Sequence, residues 1–281
     1  MGGVVGTLIT IYCYSGCQGT LVASALAFHP PPPQYSFEFD EKTQKYEFLL
    51  EGARVSTPVV ANMITTSSKS KIPIICIRSP GAKTSILFSH GNATDLGAMF
   101  GFFVAMSKIL GVNVIAYDYT GYGMSEQSPD WEGNVRTTEK QVYLDADAAY
   151  EWAKANVVSD TKTDLILYGQ SVGSGPSCYL ASDPERPVAG LILHSPIMSG
   201  LRVLTLNRLM GCFDIFPNVD RIVDVAAPVF IIHGEQDMEV DVAHGKALHK
   251  LVPDQYKRSP WWVPERGHND IMINNDREYF R

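Results

Sequence analysis

No lysine, arginine, aspartate or glutamate occurs between Met1 and Phe37. The rest of the chain has no run of basic residues, and a formal net charge of −7 over 281 residues argues against a nucleic-acid-binding surface. Cysteine is sparse, with five residues at positions 13, 17, 76, 178 and 212 and no Cys-x-x-Cys pair. Neither a zinc site nor a disulfide framework is indicated, and a reducing compartment is the simpler reading. What is present is ordinary for a globular protein, with 45% hydrophobic and 19% charged residues. The length holds one large domain or two small ones, with ample core.

The charge-free N-terminus is apolar over residues 4–14 and 21–28, with a small, polar stretch around Cys17 between them. Three readings compete for it. A single helix over both runs would be about 37 Å long, enough to cross a hydrocarbon core of roughly 30 Å, although the central glycines and Gln18 oppose it. A secretory signal has a cleavage site at Ala25-Leu26-Ala27 but lacks the positive n-region. An interfacial anchor places Cys13 and Cys17, four residues apart, on one helix face, where acylation of both supplies the second signal that stable anchoring needs. Gly2 invites myristoylation, but Gly6 stands where Ser or Thr is wanted. Pro30 to Pro33 follow as a stiff polyproline spacer. Residues 1–33 thus read as anchor and spacer, and 34–281 as the folded domain.

Residues 34–57 show no clear pattern, and 58–65 is a candidate strand. Two further strands follow, and after residue 89 the chain alternates strand and helix. Strands are expected over 72–78 and 85–89, divided by the turn Ser79-Pro80-Gly81, then over 112–117, 165–168, 188–193, 229–232 and 261–263. Helices are expected over 96–110, 138–155 and 242–251, and Thr138 with Gln141 fits a capping box. Such alternation calls for an α/β fold, a doubly wound and mostly parallel central sheet with helices on both faces. Residues 196–227 depart from it, either as a small helical cap or as a crossover with long loops.

The chain is organised around residues 164–179, DLILYGQSVGSGPSCY. Leu165 to Tyr168 form an apolar run of the kind found in a strand buried on both faces. It stops at Gly169-Gln170-Ser171-Val172-Gly173, and a helical, small-residue pattern follows. A strand turning at once into a helix around Gly-x-Ser-x-Gly holds the serine on a strained elbow, with glycines where a Cβ would collide with a neighbour. Ser171 is the candidate nucleophile, and the backbone N–H of Val172 a candidate oxyanion donor.

A serine needs a base and an orienting acid, on loops after later strands and in the order Ser, acid, His. Of seven histidines, His29 precedes the prolines and reads as remote. His90, His194 and His233 each end a strand and read as supporting or half-buried residues, and His244 and His249 read as surface residues of a helix. His268 alone lies on a turn after the last strand, with Asn269 or Asp270 able to cap a following helix, and is the candidate base. The loop after residues 229–232 offers Glu235, Asp237 and Asp241. Asp237 is the preferred acid, Glu235 the runner-up, and a helix cap the plain alternative for Asp237. The loop His90-Gly91-Asn92-Ala93 is expected to give the second oxyanion donor, the N–H of Asn92. Asp118 reads as structural.

The blocks Phe88-Ser89-His90-Gly91-Asn92-Ala93, Asp118-Tyr119 with Gly121-Tyr122-Gly123, Tyr168-Gly169-Gln170-Ser171, His194-Ser195-Pro196 with Ser199-Gly200, Phe216-Pro217-Asn218, His233-Gly234 with Asp237, and Gly267-His268-Asn269-Asp270 occur in this order. Together they resemble the membrane-associated α/β-hydrolase depalmitoylases over residues 84–275. The resemblance implies an α/β-hydrolase fold and a serine hydrolase that removes palmitate from cysteines of membrane-bound proteins. It also implies a palmitoylated N-terminus, to which Cys13 and Cys17 correspond in kind, and hence a peripheral protein at the cytoplasmic face of a membrane, plasma or endosomal. No metal or organic cofactor is expected, and no nucleic-acid partner. The runner-up is a general carboxylesterase or lipase using the same triad on oxygen esters. A membrane-tethered scaffold with an unused elbow is the third reading.

Overall fold

The computed structural model describes residues 27–126, 137–204, 214–272 and 276–280. The candidate anchor residues Cys13 and Cys17, with Gly2, lie outside them, as does part of the 196–227 segment. Eleven strands among the described residues form one sheet: β1 Tyr35–Asp40, β2 Lys45–Leu50, β3 Ala53–Arg54, β4 Val59–Thr65, β5 Lys71–Ile77, β6 Ser85–Ser89, β7 Asn113–Tyr117, β8 Leu165–Gln170, β9 Gly190–His194, β10 Val229–Gly234 and β11 Trp261–Val263. Their order is β1-β2-β4-β5-β7-β6-β8-β9-β10-β11, with β3 paired on β2.

From β7 to β11 all pairings are parallel, whereas β1, β2, β4, β5 and β7 pair antiparallel. The strand-and-helix alternation expected after residue 89 holds, and the antiparallel part of the sheet is built by the residues before it. The β1–β2 hairpin escapes a reading by pattern because its turn has neither glycine nor proline. Asp40 builds it instead, accepting from Lys42 N at 2.9 Å and Thr43 Oγ1 at 3.0 Å, while Gln44 takes φ 55°. β5 and β6, adjacent in sequence, do not pair; β7 lies between them.

Side chains alternate across β6 in the way a strand covered on both faces requires. Ile86 and Phe88 join one core cluster and Leu87 the other. Helix α1, Leu96–Leu110, covers the first face through Leu96, Phe100, Phe103 and Met106. Helices α2 (Glu139–Asn156), α3 (Ser174–Ala181) and α4 (Ala243–Leu251) cover the second through Val142, Ala149, Cys178 and Leu248. Each large apolar side chain so buried contributes about 1.5–3 kcal/mol relative to exposure. Asp95 caps α1 by accepting from Ala98 N, and Gly111 ends it at φ 64°. The capping box of α2 forms by half: Thr138 Oγ1 accepts from Gln141 N at 3.2 Å, but Gln141 Nε2 turns to Ser68 and Asp145.

Within 196–227 the described residues hold two short helices, Gly200–Leu204 and Asn218–Arg221, and a 3-10 turn, Ile222–Asp224. Packing begins on the N-terminal side of the prolines, since Phe28 is buried in the core. None of the helices among the described residues is long and apolar enough to cross a membrane.

Candidate active site

The parallel strands all end at one edge of the sheet, and the singled-out residues follow those ends: Asn92 after β6, Ser171 after β8, Asp237 after β10 and His268 after β11. This is where open α/β sheets bind ligands. Ser171 leaves β8 with φ 52° and opens a 3-10 turn, Ser171–Gly173, that leads directly into α3. A left-handed backbone at a residue carrying a Cβ costs on the order of 1–3 kcal/mol and persists only where its surroundings enforce it. Here they do. A Cβ on Gly173 would lie 2.1 Å from Ser89 O, so the elbow is pressed against the end of β6. Ser174 Oγ donates to Ser171 O at 2.6 Å and secures the turn from inside.

Gly234 plays the matching part for the other two groups. A Cβ there would meet Arg266 O at 2.3 Å and Gly267 O at 2.4 Å, so the β10 and β11 loops touch backbone to backbone. Gln236 N donates to Arg266 O at 2.8 Å. This contact brings His268, 31 positions away, onto Asp237.

His268 Nδ1 lies 2.6 Å from Asp237 Oδ2, and His268 Nε2 lies 2.9 Å from Ser171 Oγ. With Nδ1–H donated to the carboxylate, Nε2 is left as an acceptor facing the serine hydroxyl. Asp237 also orders its own loop, because Oδ1 accepts from Glu239 N at 2.9 Å and Val240 N at 2.8 Å. The two readings weighed for it, orienting acid and cap, are thus both realised, one on each oxygen. Burial alone would raise its pKa, but hydrogen bonds from His233, His268 and the Val240 N–H outweigh that and hold the carboxyl well below the usual carboxylate range. Glu235, the runner-up, is exposed and reaches Lys246 at 3.7 Å instead. Asp241 Oδ1 accepts from Ala243 N at 2.8 Å and serves the start of α4.

The cleft is lined by Gly91, Asn92, Ala93, Thr94, Met99, Gln170, Ser171, Glu239, His268 and Asn269. Asn92 is therefore brought to the serine and histidine, and Val172 directly follows the serine in the turn. Among the described residues there is no cluster of three or more His, Cys, Asp or Glu side chains able to hold a metal ion.

Three expectations need correction. His29 is not remote, for its N–H reaches Asn92 Oδ1 at 2.9 Å and Tyr122 OH at 3.2 Å. His244 is buried rather than on the surface, its Nδ1 accepting from Met198 N at 3.0 Å, while His249 is half-exposed. Neither Asn269 nor Asp270 caps the last helix, Asp276–Tyr279, since Asn269 Nδ2 donates to Glu239 Oε1 and Asp270 Oδ1 accepts from Gly267 N. Of the two readings for His90, His194 and His233, the supporting one holds for His233, and all three are buried. His233 Nε2 lies 3.2 Å from Asp237 Oδ2, and burial lowers the pKa of His194 to about 3, which keeps it neutral. Asp118 is structural as expected, buried and accepting from Tyr35 OH at 2.6 Å and Leu96 N at 3.0 Å.

A family model described as "Serine aminopeptidase, S33" matches residues 80–219. Human alpha/beta hydrolase domain-containing protein 17B is 38% identical over 275 residues, covering 95% of this chain and 91% of that protein. The chain belongs to the alpha/beta hydrolase domain-containing protein 17 family. Within that family, protein 17C of Xenopus laevis is 36% identical over 297 residues, 97% of this chain and 91% of its own length. The fold is also that of a solved esterase from Pyrococcus furiosus, with a TM-score of 0.64 at 19% identity over 90% of this chain and 95% of the other. The α/β-hydrolase architecture expected for this chain holds, and membership of the family makes it a hydrolase.

Proposed function

We propose that the protein is a serine hydrolase of S-acyl thioesters that removes palmitate from cysteines of membrane-associated proteins. The observation that carries the catalytic part is the unbroken chain Ser171 Oγ, His268 Nε2, His268 Nδ1, Asp237 Oδ2, at 2.9 and 2.6 Å. His268 takes the proton as Ser171 Oγ attacks the thioester carbonyl. The N–H groups of Val172 and Asn92 hold the oxyanion, and as the C–S bond breaks His268 passes its proton to the departing sulfur, which leaves as the thiol. Water, deprotonated by His268, then attacks the acyl-enzyme and releases the fatty acid and Ser171.

The substrate class is supported by the resemblance of the seven sequence blocks to the depalmitoylases and by the charge-free, apolar N-terminus with Cys13 and Cys17. Acylation of both would hold the protein at the cytoplasmic face of a membrane, plasma or endosomal, beside S-palmitoylated substrates. In the double variant Cys13→Ser/Cys17→Ser we expect the protein to move from the membrane pellet to the supernatant while still cleaving a soluble thioester. Unchanged partitioning on fractionation would remove the acyl anchor from the proposal.

Fold and triad do not select the leaving group, so the decisive assay compares a palmitoyl-cysteine peptide with its serine oxygen-ester analogue. Thioester turnover is expected to exceed that of the oxygen ester and to vanish in Ser171→Ala. A preference for the oxygen ester would instead assign the protein as a lipid or carboxylic esterase.

A further inference from the structure

The side chain of Asn92 is tied by four hydrogen bonds. Its Oδ1 accepts from Tyr122 OH at 2.7 Å, His29 N at 2.9 Å and its neighbour Ala93 N at 3.0 Å. Its Nδ2 donates to Ala27 O at 2.8 Å. Two of these four bonds go to residues 27 and 29, more than 60 positions away in the chain. The residue between them, Phe28, is 7% exposed and sets its ring edge against Phe216, with centroids 5.9 Å apart at 88°.

Phe216 is itself held in place. It sits at φ 51°, its N–H donates to Glu139 Oε1 at 2.7 Å, and its ring occupies the space a Cβ on Gly175 would need, at 2.3 Å. Gly175 belongs to α3, the helix that begins at the nucleophile elbow. Residues 27–29 therefore bond the loop after β6 through Asn92 and reach α3, the helix after the elbow, indirectly, through Phe28 packed on Phe216.

From this we infer that Asn92 is a positioning residue and residues 27–29 a strut, which together fix the spacing between the backbone N–H of Asn92 and that of Val172. The inference rests on the catalytic reading above, in which those two N–H groups receive the oxyanion. The start of the loop is fixed by Gly173 packed against Ser89 O and His90 O and by Tyr119 OH donating to His90 O at 2.7 Å, so the strut acts on the part from Asn92 onward. Ala93, directly after the donor, is strained at φ 51°, and hydrogen bonds within the loop, such as His90 Nδ1 with Gly91 O at 2.7 Å, do not tie it to α3. A donor displaced by a few tenths of an ångström lies too far from the tetrahedral oxygen while substrate binding is left alone.

The test uses the full-length protein and p-nitrophenyl butyrate as a soluble ester. Asn92→Ala keeps the backbone N–H but cuts the strut, and it should lower kcat by about 10- to 100-fold, short of the loss for a donor removed outright. KM should stay near wild type; because four hydrogen bonds are lost, the melting temperature should fall by several degrees, and kcat is therefore measured well below it on fully folded protein. Affinity for a trifluoromethyl ketone, which forms a tetrahedral adduct with the serine, should fall by the same factor as kcat. Phe28→Ala should act in the same direction, and Phe28→Leu should restore the rate by refilling the contact with Phe216. Wild-type kcat in both Asn92→Ala and Phe28→Ala would overturn the inference, as would a loss of kcat that only follows the fraction unfolded. Ser171→Ala in the same assay separates the two claims. If it is inactive while the strut variants run at the wild-type rate, only the strut fails; if it is active, the catalytic reading itself fails.

Discussion

Replacing Ser171 by alanine should lower kcat by about a millionfold, the loss typical when a triad nucleophile is removed, and should abolish covalent labelling by a fluorophosphonate. The substitution is conservative for the fold. The strain at φ 52° is borne equally by any residue with a Cβ, and the hydroxyl's partner in the site is His268 Nε2 at 2.9 Å. Thermal unfolding is therefore expected to match wild type, so that lost turnover cannot be ascribed to lost structure. Other serines near the same sheet edge sharpen the test. Ser195 also has a positive φ, 46°, at the end of β9, but it is fully buried and its Oγ has no hydrogen-bond partner. Ser174 Oγ is committed to Ser171 O, Ile197 N and Asn218 Nδ2. Neither is paired with a histidine. Turnover or labelling that survives in Ser171→Ala would nevertheless mean that the nucleophile lies elsewhere.

The grouping of Ser171, Asp237 and His268 was legible because each of the three is announced by local chemistry at the end of a strand. The apolar run before Gly169 marks β8, the glycines mark the elbow, and Asp237 and His268 are polar residues on short loops directly after apolar strands. What the sequence hid depends on contacts across long separations. Residues 34–57 carry three strands, yet β1 is only partly buried along its length and turns through Asp40 rather than through a glycine. Its alternation is blurred accordingly. His244 looked like a surface residue because its helix is amphipathic and polar around it; it is buried, and its Nδ1 accepts from the N–H of Met198, 46 positions earlier. His29 was dismissed for its place before four prolines, although its contribution is a backbone N–H, a group that no residue type reveals. Of Asn92, the backbone role was readable from the loop's position after β6. The side-chain role was not, since its partners at positions 27, 29 and 122 form no motif in the chain.

For Asp237→Asn we expect kcat to fall by about 10⁴-fold with little change in KM, the deficit that follows when the histidine is held in the wrong tautomer. The loop itself decides which way the amide turns. Asp237 Oδ1 accepts from two backbone N–H groups, of Glu239 and Val240, and an NH₂ placed there would face two donors. The asparagine oxygen must stay on that side, which leaves its NH₂ pointing at His268 Nδ1. A donor facing Nδ1 requires Nδ1 to be the unprotonated nitrogen, so the proton moves to Nε2 and the base can no longer accept from Ser171. His233 Nε2 loses little, because Val240 O at 2.8 Å is its nearer partner. The native carboxyl is held well below the usual carboxylate range, so it is ionised throughout the pH range in which the enzyme would be assayed. The deficit of the asparagine variant should accordingly persist across that range instead of being restored at either end. Full activity in Asp237→Asn, together with a large loss in Glu235→Gln, would move the orienting role to the residue that the structure places against Lys246.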